Sequence, residues 1–184
     1  MKGVVFPGGN YGPNHPLLHY AGLALEVRGA EVHRVTWPMP ADRKTLAETD
    51  FHAFVDAVAA TELDAVGGAP IVIGKSFGTY AAAQVARRGL VAVWYTPLLH
   101  APEAVAGLEA ATAPFLLIGG TNDPHAWDGD LARRLTPHVL EIEGADHGMM
   151  VPGPLSASAA VLGRVTDAVE RFLDDQSPSG APSA

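Results

Sequence analysis

The sequence predicts an α/β protein built on one doubly wound, mostly parallel sheet of six strands, with helices on both faces. Short apolar, β-branched runs alternate along the chain with longer segments of helical character, as expected for a parallel sheet covered by helices. One run, Ile71–Ile73, is apolar at every position, which is typical of a strand buried on both faces. The 184 residues suffice for one well-packed domain and are too few for two of ordinary size.

Turn residues bound the predicted elements. Pro7 ends the first strand, Gly29 is placed to cap the C-terminus of the first helix, and Asp50 is placed to cap the N-terminus of the second. The predicted strands are Val4–Phe6, Val32–Thr36, Ile71–Ile73, Leu90–Tyr95, Phe115–Ile118 and Val139–Ile142. The predicted helices cover about residues 15–28, 50–63, 79–88, 127–135 and 156–173. Residues 1–175 are predicted to form a single domain, and the Ser-, Pro- and Ala-rich residues 176–184 a disordered tail.

Composition argues against several classes of function. The net charge is −8, with 20 acidic against 12 basic residues and no cluster of Lys and Arg, so nucleic acid is not an expected partner. A chain without cysteine has no disulfide, thiolate metal site or cysteine nucleophile. The apolar run Gly3–Phe6 is too short for a signal peptide, and no run approaches the roughly 20 residues that cross a bilayer. A cytoplasmic protein that does not bind membranes is therefore expected.

The strongest local motif is G-x-S-x-G, present as Gly74-Lys75-Ser76-Phe77-Gly78. A nucleophilic serine in this motif occupies a sharp, strained turn between a strand and a helix, so that its hydroxyl stands above the edge of the sheet. Glycine on either side leaves room where the strand and the helix approach each other. Here an apolar strand precedes the motif and a helical segment follows it, a context that a chance glycine-rich turn would not require. Ser76 is therefore the candidate nucleophile.

With this motif and its context, the chain resembles the α/β-hydrolase superfamily over nearly its whole length. That family carries its catalytic residues in the chain order serine, acid, histidine. Phe115–Pro124 resembles the strand and loop that supply the acid, and Glu141–Gly148 resembles the loop that supplies the histidine. The resemblance implies a minimal α/β-hydrolase fold without a cap domain. It also implies Ser76 as nucleophile, His147 as its base, and Asp123 as the acid that orients the base.

Two other carboxylates compete with Asp123 for the role of the acid. Asp146 is adjacent to His147, but the side chains of neighbouring loop residues usually point apart. Asp128 is the alternative if Asp123 instead stabilises its own turn, as Asn-Asp-Pro sequences often do.

The resemblance also implies an oxyanion hole. One donor would be the backbone N–H of Phe77, which follows the nucleophile. The second would come from the loop after the first strand, where Pro7–Gly12 resembles the family's glycine-rich oxyanion loop, with Pro7 at a position where histidine is common. Glycines in this loop let N–H groups turn toward a ligand, and the second donor is either Gly9 or Asn10.

The segment between the fourth and fifth strands, Thr96–Pro114, leaves little room beyond a short helix. An open, shallow substrate site is therefore expected. The predicted lining of that site is Tyr11, Phe77, Tyr95, His100 and Trp127. Lys75, next to the nucleophile, could either raise the positive potential of the site or pack beneath a helix.

No metal ion or cofactor is expected. His15 and His19 have a spacing that can bind zinc, but no third ligand accompanies them, so they are predicted to lie at the surface or the edge of the pocket. No G-x-G-x-x-G motif follows the first strand, so neither a nicotinamide nor a flavin cofactor is expected.

The expected function is hydrolysis of a small ester or thioester through an acyl-enzyme on Ser76. The acyl group could be free or bound to a carrier. One alternative is a non-hydrolytic enzyme that uses His147 and Asp123 as a base for elimination, isomerisation or condensation, because a fold does not determine a reaction. Another is a binding module without catalysis, although such a module has no physical need for all three residues.

Overall fold

The computed structural model describes residues 1–38, 48–124 and 126–176, and a six-stranded sheet forms its centre. Strands β1 to β6 are Lys2–Phe6, Glu31–Arg34, Ile71–Lys75, Ala92–Tyr95, Phe115–Gly120 and Val139–Ile142. Their order across the sheet is β2-β1-β3-β4-β5-β6, and every neighbouring pair is parallel. The predicted α/β architecture with a six-stranded sheet is confirmed, and the sheet is parallel throughout.

The third strand is longer than its apolar run predicts. Gly74 pairs with Trp94, and Lys75 pairs with Tyr95, in continuation of the parallel ladder between β3 and β4. Ladder hydrogen bonds are made by the backbone, so a strand continues through residues that lack apolar side chains. As a consequence, Ser76 follows the last paired residue of β3 directly.

Helices α1 to α6 are Pro16–Glu26, Glu48–Val66, Ala82–Arg87, Pro102–Glu109, Gly129–Leu135 and Leu155–Gln176. Gly29 follows α1 with a φ of +79°, the left-handed conformation predicted for the residue after a helix. The predicted cap of the second helix is wrong, because α2 begins at Glu48 and Asp50 lies within its first turn. Gln176, predicted as the first residue of the tail, is the last residue of α6, and residues 177–184 lie outside the described residues.

The chain after Ser76 also differs from its prediction. A 3₁₀ helix, Ser76–Ala81, precedes α3, where an α-helix was expected from about residue 79. Such tighter turns are frequent at the ends of α-helices.

The core lies on the two faces of the sheet, because successive strand residues point to opposite sides. On β3, Val72 packs into the cluster covered by α2 to α5, whereas Ile73 packs into the cluster covered by α1 and α6. The strand side chains in both clusters are buried, as the apolar sequences of the strands predict.

The order of the strands creates a crevice at the carboxyl ends of β1 and β3. The chain leaves β1 toward its neighbour β2 on one side, and leaves β3 toward β4 on the other. Connections that diverge in this way leave an opening above the sheet, where ligands bind in open α/β folds. The loop after β1 and Ser76 after β3 both lie at this opening.

Among the described residues, no helix combines the length and the apolar character that crossing a bilayer requires.

Candidate active site

Ser76 occupies a strained turn between β3 and the 3₁₀ helix. Its φ is +50°, a left-handed conformation that residues other than glycine rarely adopt. Gly78, two residues later, packs directly against the backbone after β1, because a Cβ at Gly78 would lie 2.7 Å from the carbonyl oxygen of Phe6. A side chain at this position would force the turn away from β1. The G-x-S-x-G segment therefore has the geometry that its sequence predicts.

His147 lies between Ser76 and Asp123. Its Nε2 is 2.8 Å from Ser76 Oγ, and its Nδ1 is 2.6 Å from Asp123 Oδ2. An ionised carboxylate only accepts hydrogen bonds, so Nδ1–H donates to Asp123 and Nε2 is left to accept from the serine hydroxyl. Asp123 is buried, whereas the His147 side chain is 42% exposed and open to a ligand. This arrangement suits removal of the Ser76 proton and stabilisation of the imidazolium that results.

Their hydrogen bonds distinguish Asp123 from the two alternative acids. Asp128 caps the N-terminus of α5, where its Oδ1 accepts a hydrogen bond of 2.9 Å from Leu131 N. Asp146 stabilises the histidine loop itself, with Oδ1 accepting hydrogen bonds from the amides of Gly148 and Met150 at 2.8 and 2.9 Å. Only Asp123 of the three carboxylates contacts the imidazole.

The acid loop and the histidine loop are held together by their backbones. Asn122 N donates to Ala145 O at 2.9 Å, and Thr121 N donates to Ile142 O at 3.1 Å. At Gly120 the two segments are so close that a Cβ would lie 2.2 Å from Ala145 O. Close backbone packing therefore sets the distance between the acid and the histidine.

The two segments that carry the candidate oxyanion donors lie close to each other beside Ser76. Phe77 lies in the first turn of the 3₁₀ helix, where an N–H has no partner within the helix. The loop after β1 lies opposite, because a Cβ at Gly9 would be 3.9 Å from Phe77 Cβ. Gly8 N already donates to Tyr11 O at 2.9 Å, which leaves Gly9 and Asn10 as the candidates for the second donor.

Lys75 is a buried cation beneath the site. Its side chain is 1% exposed, and Nζ donates to Thr96 Oγ1 at 2.9 Å and to the backbone oxygen of His147 at 3.0 Å. The ring centroid of Tyr11 lies 4.8 Å from Nζ. Burial lowers the pKa of Lys75 to about 8, although the carboxylates of Asp123 and Asp146 act in the opposite direction.

Neither sequence-based alternative for Lys75 predicted the contacts that its ammonium makes. The ammonium joins the end of β3 to the backbone of His147 and to Thr96, which follows β4. No motif in the sequence identifies Thr96, although it is fully buried and has a φ of +40°.

The burial of Lys75 predicts a pH dependence of stability. Below about pH 8 the folded and the unfolded chains both hold the proton, so the cost of burying the ammonium is fully present. Between about pH 8 and 10.5 the folded protein releases this proton while the unfolded chain retains it, so the free energy of unfolding rises with pH. The lowering from 10.5 to about 8 corresponds to about 3 kcal/mol over this window.

Urea unfolding of the wild-type protein and of Lys75→Met between about pH 7 and 10.5 measures this effect. Tyrosines and other lysines titrate in both proteins, so their contributions cancel in the difference. The unfolding free energy of the wild type minus that of Lys75→Met is therefore expected to increase as the pH rises. A difference that stays constant over the window would contradict the prediction.

A cavity of about 390 Å³ opens over Ser76. It is lined by the loop after β1, the serine turn, Leu98 and the histidine loop. Its residues are Gly8, Gly9, Asn10, Tyr11, Lys75, Ser76, Phe77, Leu98, His147 and Gly148. Two of the predicted lining residues, Tyr11 and Phe77, border this cavity, and Leu98 and Gly148 border it without having been predicted.

The other three predicted lining residues do not line this cavity. Tyr95 is 1% exposed because its position on β4 points it into the core beneath α1 and α6. Trp127 instead packs over Gly119, and its Nε1 donates to Glu141 at 2.7 Å. His100 lies at the exposed end of the turn after β4.

The two histidines considered as metal ligands have other neighbours. The His15 ring lies 4.7 Å from that of Tyr11, and the His19 ring lies 6.0 Å from that of Tyr20. Within the described ranges, no group of three or more His, Cys, Asp or Glu side chains is arranged to hold a metal ion.

Several solved structures have a similar fold. An α/β serine hydrolase homologue from Coxiella burnetii has a TM-score of 0.68 and 13% identity, over 94% of this chain and 85% of that one. Est1E from Butyrivibrio proteoclasticus, solved with ferulic acid bound, has a TM-score of 0.68 and 14% identity, over 95% and 88%. An α/β serine hydrolase without a lid from Xanthomonas campestris has a TM-score of 0.63 and 15% identity, over 98% and 84%. No protein-family model and no curated protein matches the sequence.

These similarities show that the chain has the α/β-hydrolase fold in its minimal form, as the sequence predicts. The segment between β4 and β5, where a cap would be inserted, contains only the short helix α4.

Proposed function

We propose that this protein is a serine hydrolase that cleaves a small ester or thioester through an acyl-enzyme on Ser76. The observation that carries the proposal is the hydrogen-bonded series from Ser76 through His147 to Asp123, with distances of 2.8 and 2.6 Å, beside an open cavity. A serine hydroxyl is a weak nucleophile until a neighbouring base takes its proton, and this arrangement provides the base. The α/β-hydrolase fold of the chain, shared with serine hydrolases, agrees with this chemistry.

In the first half of the reaction, Ser76 Oγ attacks the carbonyl carbon and its proton passes to His147 Nε2. The electron pair of the carbonyl bond moves to the oxygen, where the N–H of Phe77 and that of Gly9 or Asn10 would stabilise the negative charge. The intermediate collapses when the bond to the alcohol oxygen or thiol sulfur breaks and His147 returns the proton to that leaving group. Water then attacks the acyl-enzyme with His147 as base, and the carboxylic acid and free serine are released.

The open site supports small substrates. The segment between β4 and β5 contains only the short helix α4, and its contribution to the lining of the cavity over Ser76 is Leu98. The same openness would admit an acyl group carried as a thioester on a larger partner. A carrier-bound substrate requires a higher kcat/KM for a thioester than for the oxygen ester of the same acid, and equal values would contradict that extension.

A fluorophosphonate probe tests the proposal directly, because it reacts with activated serines. The probe is expected to label the peptide that contains Ser76, as measured by peptide mass, and Ser76→Ala is expected to remove all labelling. Ser156→Ala, at an exposed position in the first turn of α6, is the matched control and should label like the wild type. A folded wild-type protein that is not labelled would contradict the proposal and favour base chemistry by His147 without an acyl-enzyme.

A further inference from the structure

A second cavity, of about 350 Å³, lies beside the one over Ser76. Its walls come from the loop before α1, the first turn of α1, the chain after His147 and the first two turns of α6. They are formed by Tyr11, Pro16, Leu17, Gly148, Met149, Met150, Leu155, Ser158, Ala159 and Leu162. Its volume is at the lower end of the range of roughly 300 to 1,000 Å³ that is typical of small-molecule sites.

The two cavities are neighbours. Tyr11 and Gly148 line both of them, and Gly148 follows His147 directly in the chain. Tyr11, one of the two shared residues, is fixed from two sides. Its hydroxyl accepts a hydrogen bond of 3.0 Å from Leu17 N, and the Lys75 ammonium lies against its ring. A substrate whose carbonyl carbon is held at Ser76 could therefore extend past Tyr11 into the second cavity.

The lining of the second cavity suits hydrocarbon and disfavours polar groups. None of the described residues that line it has a charged side chain, and its two hydroxyls, those of Tyr11 and Ser158, already have backbone partners. Ser158 Oγ accepts from Val151 N at 3.1 Å and donates to Val151 O at 3.4 Å. A polar group placed here would lose its hydrogen bonds to water without adequate replacement.

The rim of the second cavity also suits a hydrocarbon ligand. Leu155 is 75% exposed and Met150 is 45% exposed, although both side chains are apolar and border the cavity. Covering such side chains with hydrocarbon removes apolar surface from water.

We infer that the second cavity binds a hydrocarbon group of the substrate, so that the enzyme prefers esters or thioesters with an extended alkyl chain. This inference rests on the proposed function of Ser76. The chain could belong to the acyl group or to the leaving alcohol or thiol, and the same apolar chemistry would hold either.

Two series of esters determine whether the alkyl chain belongs to the acyl group or to the leaving group. The first varies the acyl group of p-nitrophenyl esters from acetate to decanoate, and the second varies the alcohol of acetate esters from ethyl to octyl. In one series, kcat/KM is expected to rise about threefold to fourfold for each methylene that enters the cavity, and to level off when the cavity is full. If kcat/KM is independent of chain length in both series, the inference is wrong.

A pair of variants on α6 tests whether the dependence of kcat/KM on chain length arises in this cavity. Ala159 and Ala160 are both exposed, but only Ala159 lines the cavity. Ala159→Phe would occupy part of the space, so the ratio of kcat/KM for the preferred long ester to that for the shortest ester is expected to fall by at least about tenfold. Ala160→Phe adds the same apolar ring outside the cavity and should keep the wild-type ratio.

The outcomes distinguish the inference from the proposed function. If Ala159→Phe keeps the wild-type ratio while probe labelling of Ser76 is intact, the inference fails and the proposed function stands. If the wild-type protein neither reacts with the probe nor hydrolyses any ester, both fail. Light scattering provides the remaining check, since a dimer in the wild type that Ala159→Phe dissociates would assign this face to a second copy of the chain and overturn the inference.

Discussion

Replacing either Ser76 or His147 by alanine is expected to lower kcat for a small ester by about 10⁶-fold. The two residues act as one unit, because the 2.8 Å hydrogen bond between Ser76 Oγ and His147 Nε2 is the route by which the proton leaves the nucleophile. Neither residue supports this proton transfer without the other. The double variant is therefore expected to be no slower than either single variant, since nothing remains for the second substitution to remove.

Steady-state hydrolysis of an acetate ester measures the three rates against the uncatalysed reaction. Both side chains border an open cavity, so thermal unfolding of the variants should stay close to that of the wild type. Losses that multiply in the double variant would show that the two residues act independently. If Ser76→Ala retained activity that His147→Ala abolished, the protein would be a base catalyst without a serine nucleophile.

Asp123→Asn is expected to lower kcat by about 10⁴-fold with little change in KM. Asp123 is buried, and its Oδ2 accepts a hydrogen bond of 2.6 Å from His147 Nδ1–H, which keeps Nε2 free to accept the serine proton. An asparagine side chain can donate a hydrogen bond to Nδ1, and it would then favour the tautomer whose proton is on Nε2. It also supplies no negative charge to stabilise the imidazolium. Substrate binding does not depend on either effect, so the loss should be confined to kcat.

Asp128→Asn is the matched control, because it makes the same change of side chain five residues away. Asparagine caps helix N-termini as well as aspartate does, so α5 should keep the cap that Asp128 now provides through Leu131 N. The control is expected to retain activity within about twofold. Comparable losses in both variants would mean that Asp123 contributes to the stability of its loop instead of orienting His147.

Residues at the ends of strands could be placed from the sequence alone. The apolar runs identify the strands, and the carboxyl ends of parallel strands meet at one edge of the sheet. Ser76 follows β3, Asp123 lies three residues after β5, and His147 lies in the loop after β6, so the topology by itself directs all three to the same edge. The G-x-S-x-G motif then identifies which residue occupies the strained turn.

Side chains whose surroundings come from distant segments could not be placed in this way. Tyr95 was expected to line the cavity over Ser76 because it ends β4, but the alternation of the strand turns its ring into the core. Trp127 was also predicted to line this cavity, yet it packs over Gly119, where the absence of a side chain leaves room for its ring.

The sequence by itself determined the six-stranded α/β architecture and the turn at Ser76, because hydrophobic periodicity and glycine placement are local properties of the chain. Tertiary structure alone decided the contact of Lys75 with the backbone of His147, 72 positions away, and the apolar cavity between α1 and α6. Contacts of this kind depend on how segments far apart in the sequence pack against each other. The order of the residues does not specify the distances that result from this packing. The choice among Asp123, Asp128 and Asp146 as the partner of His147 has the same origin, since only the packed loops bring one of the three carboxylates within hydrogen-bonding distance.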